Sequence, residues 1–411
     1  MKWIPNKRTS RCESLDFVEA VHRDRVYPLM YCHIETEKPI DMNRLITAIS
    51  STCKYVPEIL YTYDFRRAYF VDKGFTAKDT IVAEQTYEMT QWDLDKKPQL
   101  QIMVNNEGNK LVIGMSHILS DGKGFLQYLY LMTAFYNQKQ PDLPLENCRT
   151  ITPDLRYIHV GRATQQTRYR KRVTVSPLRA DSNENHHYCL NSQIVSADFK
   201  LLNAMTKQSQ VTLNDVFITA YVRVIAHLQK VKTVVIPCPA DLRRFLSVSD
   251  KLSIANMTGI YRRVTIEIEP DHSFSKTLSQ VHIEMELQKS RCRCFSGIRI
   301  LEFAFHKIPR LLLEQSIKLS YQLMPVSYTN FGRIDHEKLI FWDNRIKSCY
   351  MTGTYRLPPD FQLSISTFEN MCTLNCAFVG REKDKRTAQC ILEEVKSEIL
   401  EWVSGGYVFT K

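Results

Sequence analysis

Lys110-Leu111-Val112-Ile113-Gly114-Met115-Ser116-His117-Ile118-Leu119-Ser120-Asp121-Gly122-Lys123-Gly124-Phe125 is the stretch on which the reading of this chain turns. Leu111 to Met115 is a short apolar run of the kind a doubly covered strand needs. From Phe125 onward, apolar residues recur at Leu126, Tyr128, Leu129, Leu131, Met132 and Phe135, which is helical spacing with a wide buried stripe. Gly122 and Gly124 stand between the two patterns, where the chain has to turn. The reading therefore puts His117 at the C-terminal end of a strand and Asp121 at the mouth of a helix. With 11 His and 13 Gly in 411 residues, chance supplies roughly 0.02 copies of His-x-x-x-Asp-Gly at ordinary Asp usage. The corner also admits a purely structural reading: Ser120 or Asp121 caps the helix, and His117 is a half-buried strand-end residue.

Three further segments bear on the choice. Pro237-Cys238-Pro239-Ala240-Asp241-Leu242-Arg243-Arg244-Phe245 follows a second strand-like run, Thr233-Val234-Val235-Ile236. Asn256-Met257-Thr258-Gly259 and Ser327-Tyr328-Thr329-Asn330-Phe331-Gly332-Arg333 come later. With His117-x-x-x-Asp121-Gly122, their order and spacing resemble the HxxxDG acyltransferase superfamily. That group contains chloramphenicol acetyltransferase, the plant BAHD acyltransferases, nonribosomal-peptide condensation domains and alcohol acetyltransferase-like proteins. The resemblance runs from about Asp16 to the C-terminal helix. It looks closest to the alcohol acetyltransferase-like group, because of Asn330-Phe331-Gly332 and the single-chain length. Only the His motif is highly specific.

The resemblance implies an α/β fold, an α+β sandwich of two chloramphenicol acetyltransferase-like domains. Each is a mixed β-sheet covered by helices, and the active-site tunnel lies at their interface. It implies that His117 is the general base toward an acceptor hydroxyl or amine attacking an acyl thioester. Asp121 turns inward to pair with a distant arginine, for which Arg243 is the matching position and Arg244 the fallback. Gly122 permits the turn. Asn330 and Gly332 match the second-half motif bordering the tunnel. Two departures stand out. Many relatives carry two consecutive histidines, and here the first is Ser116. The Asp-Phe-Gly-Trp-Gly motif of the plant branch is absent, with Asn330-Phe331-Gly332-Arg333 in its place.

The chemistry is sound from first principles. A thioester is already activated, so no acyl-enzyme is needed. A base with a pKa near the working pH is, and neutral imidazole at ~6.5 fits. An oxyanion donor is also required; Thr329, Asn330, Ser366 and nearby backbone amides are the candidates. Cys238 sits between two prolines with no matched His, so a thiol mechanism is not expected.

Composition agrees with two soluble lobes. The 48.0 kDa chain is 44% hydrophobic and 24% charged, enough for two cores. The expected organisation is an N-terminal acyltransferase half over 1–150, a basic polar linker over 151–187 and a C-terminal acyltransferase half over 188–411. The linker holds Arg162, Arg168, Arg170, Lys171, Arg172 and Arg179. Residues 1–8 hold no apolar stretch long enough for a signal peptide, and no run approaches the ~20 apolar residues of a membrane span. The 12 cysteines show no disulfide framework, and Cys292-x-Cys294 lacks zinc-finger spacing. The expectation is a cytoplasmic protein with reduced thiols and no metal, working as a monomer because both halves share one chain. Net charge of +11 suits solubility, and equally an anionic partner: the phosphates of coenzyme A, or an acidic acyl carrier protein. No nucleic-acid module is present.

The leading expectation is thus a coenzyme A-dependent O-acyltransferase working through a ternary complex, with the acyl-CoA as co-substrate and no tightly bound cofactor. The alternatives are a carrier-protein-dependent condensation or acylation enzyme, and a non-enzymatic binding protein on the same fold. His117, Asp121, Gly122 and Arg243 together argue against the last. Along the chain, the patterns predict a helix from Asp41. Strands follow over 59–63, 68–71, 99–104 and 110–115, then a helix to about 137. In the second half, a strand over 191–198 precedes a helix capped at Thr212 and strands over 232–236 and 259–268. A helix over 274–289 and a helical stretch over 297–322 come next, then strands over 326–329, 361–367 and 371–378. A final helix over 385–403 is ended by Gly405-Gly406.

Overall fold

The computed structural model describes residues 8–82, 91–139, 146–161, 186–247, 251–269, 271–321, 323–357 and 360–407. The expected linker arginines and lysine, 162 to 179, lie outside them.

The first half runs β1 (Thr9–Arg11), α1 (Ser14–Val21), β2 (Leu29–Thr36), α2 (Met42–Thr52), β3 (Thr62–Asp64), β4 (Tyr69–Val71), β5 (Ile81–Val82), β6 (Leu100–Val104), β7 (Lys110–Ser116) and α3 (Gly122–Tyr136). The second half runs β8 (His186–Ile194), α4 (Ser196–Gln208), α5 (Leu213–Gln229), β9 (Thr233–Asp241), β10 (Thr258–Glu267), α6 (Phe274–Ser290), α7 (Ile298–Lys307) and α8 (Arg310–Ser320). It closes with β11 (Val326–Ile334), β12 (Ile346–Thr352), β13 (Phe361–Phe368), β14 (Met371–Gly380) and α9 (Glu382–Tyr407). The architecture is mixed α/β, with sheets covered by helices in both halves.

Two sheets form the frame. One has the order β12-β2-β7-β6-β5 and the other β11-β13-β14-β8. A separate hairpin, β9–β10, pairs antiparallel from Thr233↔Glu267 to Asp241↔Thr258. β12 belongs to the second half of the chain, yet it completes the first sheet by pairing with β2, Ile346 opposite Thr36. The first core likewise takes in Ile254, Phe305, Leu313, Ile317 and Phe341 beside its own Leu45, Phe70 and Met115. The second core is built on α5, α9 and the four-stranded sheet, with Tyr221, Phe361, Leu392 and Ile399 fully buried. The halves therefore interlock through exchanged side chains and a strand.

Local signals account for the helix starts. Asp41 caps α2, accepting from the Asn43 and Arg44 amides, and Thr212 with Asp215 forms a reciprocal capping box on α5. Three expectations are corrected. Residues 59–63 are not one strand: Pro57 starts a 3₁₀ turn to Leu60, and β3 begins only at Thr62. The strand placed over 191–198 lies earlier, because Ser196 already opens α4 with Asp198 in its first turn. Gly405-Gly406 does not end α9, which continues to Tyr407; a glycine near a helix end costs only about 1 kcal/mol.

All 12 cysteines are free thiols. No single described helix is long and apolar enough to cross a membrane; α4 and α5 meet that test only together, as a pair bent by 104°.

Candidate active site

β7 ends at Ser116, and the chain from His117 to Asp121 forms a tight corner before α3. Ile118 and Leu119 are fully buried in the first core and anchor it. The His117 amide donates to the Pro28 carbonyl at 2.8 Å. From the second half, Asn256 Nδ2 reaches the carbonyls of His117 at 2.8 Å and Ile118 at 2.9 Å. Arg149 Nη1 reaches the Leu119 carbonyl at 3.1 Å. Both free edges of the corner are thus held by groups outside it.

Asp121 closes the corner and does two jobs at once. Its Oδ1 caps α3 by accepting from the Gly124 amide at 2.8 Å. Its Oδ2 accepts from Arg243 Nη1 at 3.0 Å, the Met257 amide at 2.7 Å and Thr258 Oγ1 at 2.9 Å. Burial alone pushes this carboxyl up, but the Arg243 charge and the donated hydrogen bonds outweigh it and hold its pKa below the ordinary 3.8. Arg243 sits on the 3₁₀ turn after β9. Its remaining donors go to Ser253 Oγ at 2.8 Å, the Ser253 and Ala255 carbonyls at 2.8 and 2.9 Å, and Asp241 at 3.0 Å. Arg244, the fallback, points to solvent.

The role expected of Gly122 is corrected. It is the first helical residue of α3, and its φ is not positive, so the turn does not need it. Close approach does: a Cβ there would lie 2.5 Å from the Phe331 ring. Phe331 reaches it because β11 bulges between Asn330 and Gly332 against β13. Gly332 takes φ +75° in the bulge, and its amide donates to Asn330 Oδ1 at 2.8 Å. The second-half motif thus packs on the His motif through Phe331 on Gly122. Asn330 itself turns to Asn214 Oδ1, 3.2 Å away, which also accepts from Tyr328 Oη at 2.9 Å. Thr329 is half-buried on the same strand. Ser366 pairs in register with Gly332 and is buried, and its Oγ accepts from the Met351 amide of β12 at 3.1 Å. Among the described residues, no hydrogen bond joins His117 to Thr329, Asn330, Gly332 or Ser366.

His117 is 22% exposed in its side chain, but Nδ1 is buried and makes no hydrogen bond. Glu19 Oε2, on α1, lies 4.0 Å from that nitrogen. The ring's exposure therefore belongs to its other edge. One turn after Glu19, His22 lines a cavity of about 460 Å³ with Val21, Asp24, Arg25, Lys318, Tyr321 and Leu323. The His motif does not line this cavity.

Sequence reasoning missed Asp16, Arg149 and Glu19. Asp16 is fully buried on α1. It accepts from Asn256 Nδ2 at 2.9 Å and Arg149 Nη2 at 2.7 Å, so it orients the two side chains that grip the His117 corner. Its only local mark is a capping box with Glu13, which says nothing of residues 149 or 256.

No protein-family model matches the sequence, and no curated protein matches it. Solved structures do. Polyketide synthase associated protein 5 from Mycobacterium tuberculosis superposes with a TM-score of 0.67 at 13% identity, covering 97% of this chain and 100% of that one. Trichothecene 15-O-acetyltransferase from Fusarium sporotrichioides gives 0.66 at 11% identity, covering 96% and 95%. The first condensation domain of the CDA synthetase gives 0.66 at 12%, covering 97% and 96%. These likenesses run over nearly the whole length, and the chain has the fold of condensation domains and chloramphenicol acetyltransferase-like proteins.

Proposed function

We propose that this protein moves an acyl group from a thioester, acetyl- or longer acyl-coenzyme A, to a hydroxyl or amine. His117 is the general base. The observation that carries the reading is the His117 corner. Asn256, Arg149 and the Asp121–Arg243 pair immobilise its backbone, and one ring nitrogen is buried while another edge of the ring remains open. A capped strand end alone does not need that much support.

In this scheme the Nδ1 proton faces Glu19, which leaves Nε2 as the acceptor nitrogen. Nε2 takes the acceptor's proton as its oxygen or nitrogen attacks the thioester carbon. The tetrahedral intermediate then collapses, the C–S bond breaks, and the imidazolium returns the proton to the departing thiolate. Asp121 and Arg243 touch no substrate and act as positioning residues. Asn330, Thr329 and Ser366 are the side-chain candidates for oxyanion donor, alongside backbone amides. Of these, Asn330 and Thr329 are the more accessible. The two halves of the chain act as one monomeric unit at this site.

A carrier-bound donor is the second reading. It is favoured by the likeness to a condensation domain of a synthetase and by the net charge of +11, which suits an acidic carrier.

Mass spectrometry of free coenzyme A tests the proposal, using a panel of acyl-CoAs with mixed alcohols and amines. It avoids the thiol background of 12 cysteines. Wild type should release coenzyme A, and His117→Ala should fall by about 10²–10⁴-fold with an unchanged melting temperature. Equal release by both proteins would remove His117 from the mechanism. Release from acyl-carrier protein and not from acyl-CoA would establish the second reading.

A further inference from the structure

Arg243 and Arg356 are both buried, 4% and 9% exposed, and their surroundings are opposite. Arg243 spends its donors on Asp121, Asp241, Ser253 and Ala255. Arg356 has no ion pair among the described residues, and its Nε is buried without a hydrogen bond. Its backbone is held on both sides by β14: the amide donates to the Ala377 carbonyl at 3.0 Å, and the carbonyl accepts from the Val379 amide at 2.9 Å. Burial pushes the Arg356 guanidinium below the ordinary arginine value, whereas the carboxylates beside Arg243 and Arg149 more than reverse the same effect. An uncompensated buried charge is one of the costliest things a fold can keep.

The charged and titratable groups that act on Arg356 are Asp360, Glu19, Tyr321 and Arg25. Asp360 holds Arg25 through both carboxylate oxygens at 2.8–3.1 Å. Glu19 faces His117 Nδ1 at 4.0 Å. Tyr321 is neutral, its pKa pushed up to about 12 by burial. Arg25 and Tyr321 also line the cavity of about 460 Å³, together with His22, whose Nε2 is likewise buried without a partner, and the apolar Val21 and Leu323. The cations of that wall are already paired: Arg25 with Asp360, and Lys318 with Glu314 and Asp24. Arg262, 5.1 Å over the Tyr321 ring, is exposed to water. The buried positive charge left without a counter-ion in this region is Arg356.

We infer that Arg356 anchors a binding site for a small organic monocarboxylate, whose charge it neutralises and whose apolar body occupies the cavity beside Val21, Tyr321 and Leu323. The planar guanidinium fork matches the two oxygens of a carboxylate. One spare positive charge suits a monoanion better than a phosphate monoester, which carries close to two negative charges at neutral pH. This inference concerns binding and stands apart from the reaction at His117.

Calorimetric titration of the full chain tests it, with acetate, hexanoate and benzoate as probes, hexanamide and benzyl alcohol as neutral counterparts, and inorganic phosphate as the dianion. Wild type should bind at least one of the acids and neither neutral compound. Arg356→Met should weaken that binding at least about tenfold. It should also raise the melting temperature without ligand, because it removes a buried charge and keeps an apolar stem. Arg356→Lys keeps the charge without the fork and should retain part of the binding. The inference would be overturned if none of the acids bound, if hexanamide bound as well as hexanoate, or if Arg356→Met bound the acids as wild type does. A lower melting temperature for Arg356→Met would overturn it too, by showing that the folded chain already compensates this charge. Tighter binding of phosphate than of any carboxylate would overturn the choice of a monoanion.

Discussion

Two buried carboxylate–arginine pairs hold the His117 corner, and they are not alike. Asp121 with Arg243 and Asp16 with Arg149 are both nearly or fully removed from water, with N–O separations of 3.0 and 2.7 Å. Yet burial raises the Asp16 pKa and is not overcome there, whereas the Asp121 pKa ends below the ordinary value. Asp121 accepts four hydrogen bonds, two of them from backbone amides fixed by α3 and β10, and its arginine is saturated by carbonyls and Asp241. Asp16 accepts three, and the Nε of its arginine is buried without a partner. A close ion pair alone does not set the direction in which a buried carboxylate shifts; burial and the arginine charge come first, and the donors aimed at the carboxylate add to them.

Removing one carboxylate at a time would break this contrast most directly. Asp121→Asn leaves Arg243 buried against a neutral group and should cost about 3–5 kcal/mol in urea unfolding at neutral pH. Its pH dependence separates the two sites. The Asp121 contribution is present above the unfolded value of about 4 and is lost as pH falls through the lowered folded value, so the gap between wild type and Asp121→Asn should close in acid. Asp16 has a raised folded value. Its contribution is present at low pH and is lost as pH rises through that value, so the gap between wild type and Asp16→Asn should change with the opposite slope. Parallel slopes would show that the two carboxylates are equivalent after all.

Next in size is the contact that ties the second-half motif to the corner. Gly122→Ala drives a methyl group into the Phe331 ring and should cost about 1–3 kcal/mol. Phe331→Leu in the same chain should recover part of that loss, because the clash is with the ring and not with backbone. Failure of the double variant to recover stability would place the strain in α3 instead.

The smallest effect sharpens the comparison from the side of His117. Glu19 is 40% exposed and 4.0 Å from Nδ1, a weak pairing beside the two buried ones. Glu19→Gln should lower kcat/KM only about two- to fivefold, with no loss of stability. A loss as large as that of His117→Ala would mean that Glu19 takes part in proton transfer itself.

Much of the corner was legible from residues close together in the chain. The apolar run 111–115, the helical spacing from Phe125 and a capping residue between them are short-range signals, and β7, Asp121 and α3 follow them. Resemblance singled out Arg243 ahead of Arg244. Four strands escaped notice, the short Thr9–Arg11 and Ile81–Val82 and two longer ones. In Leu29–Thr36, His33 and Glu35 interrupt the apolar run, and the strand is buried on both faces for half its length. Ile346–Thr352 has no clean alternation. They pair with each other across some 300 residues, and no window of sequence contains that partnership.

What this sequence determined by itself is what neighbours along the chain decide: a strand up to Met115, a helix after Gly124, and which histidine stands at the strand end. Only the tertiary structure decided that Asp16 orients Asn256 and Arg149, that Phe331 makes Gly122 necessary, and that β12 closes the first sheet. The physical reason is that helix backbone hydrogen bonds and caps form within one turn, and strand alternation within a few residues, so both leave a local imprint. A buried donor or a close ring contact, by contrast, is set by whichever distant residue the packing delivers.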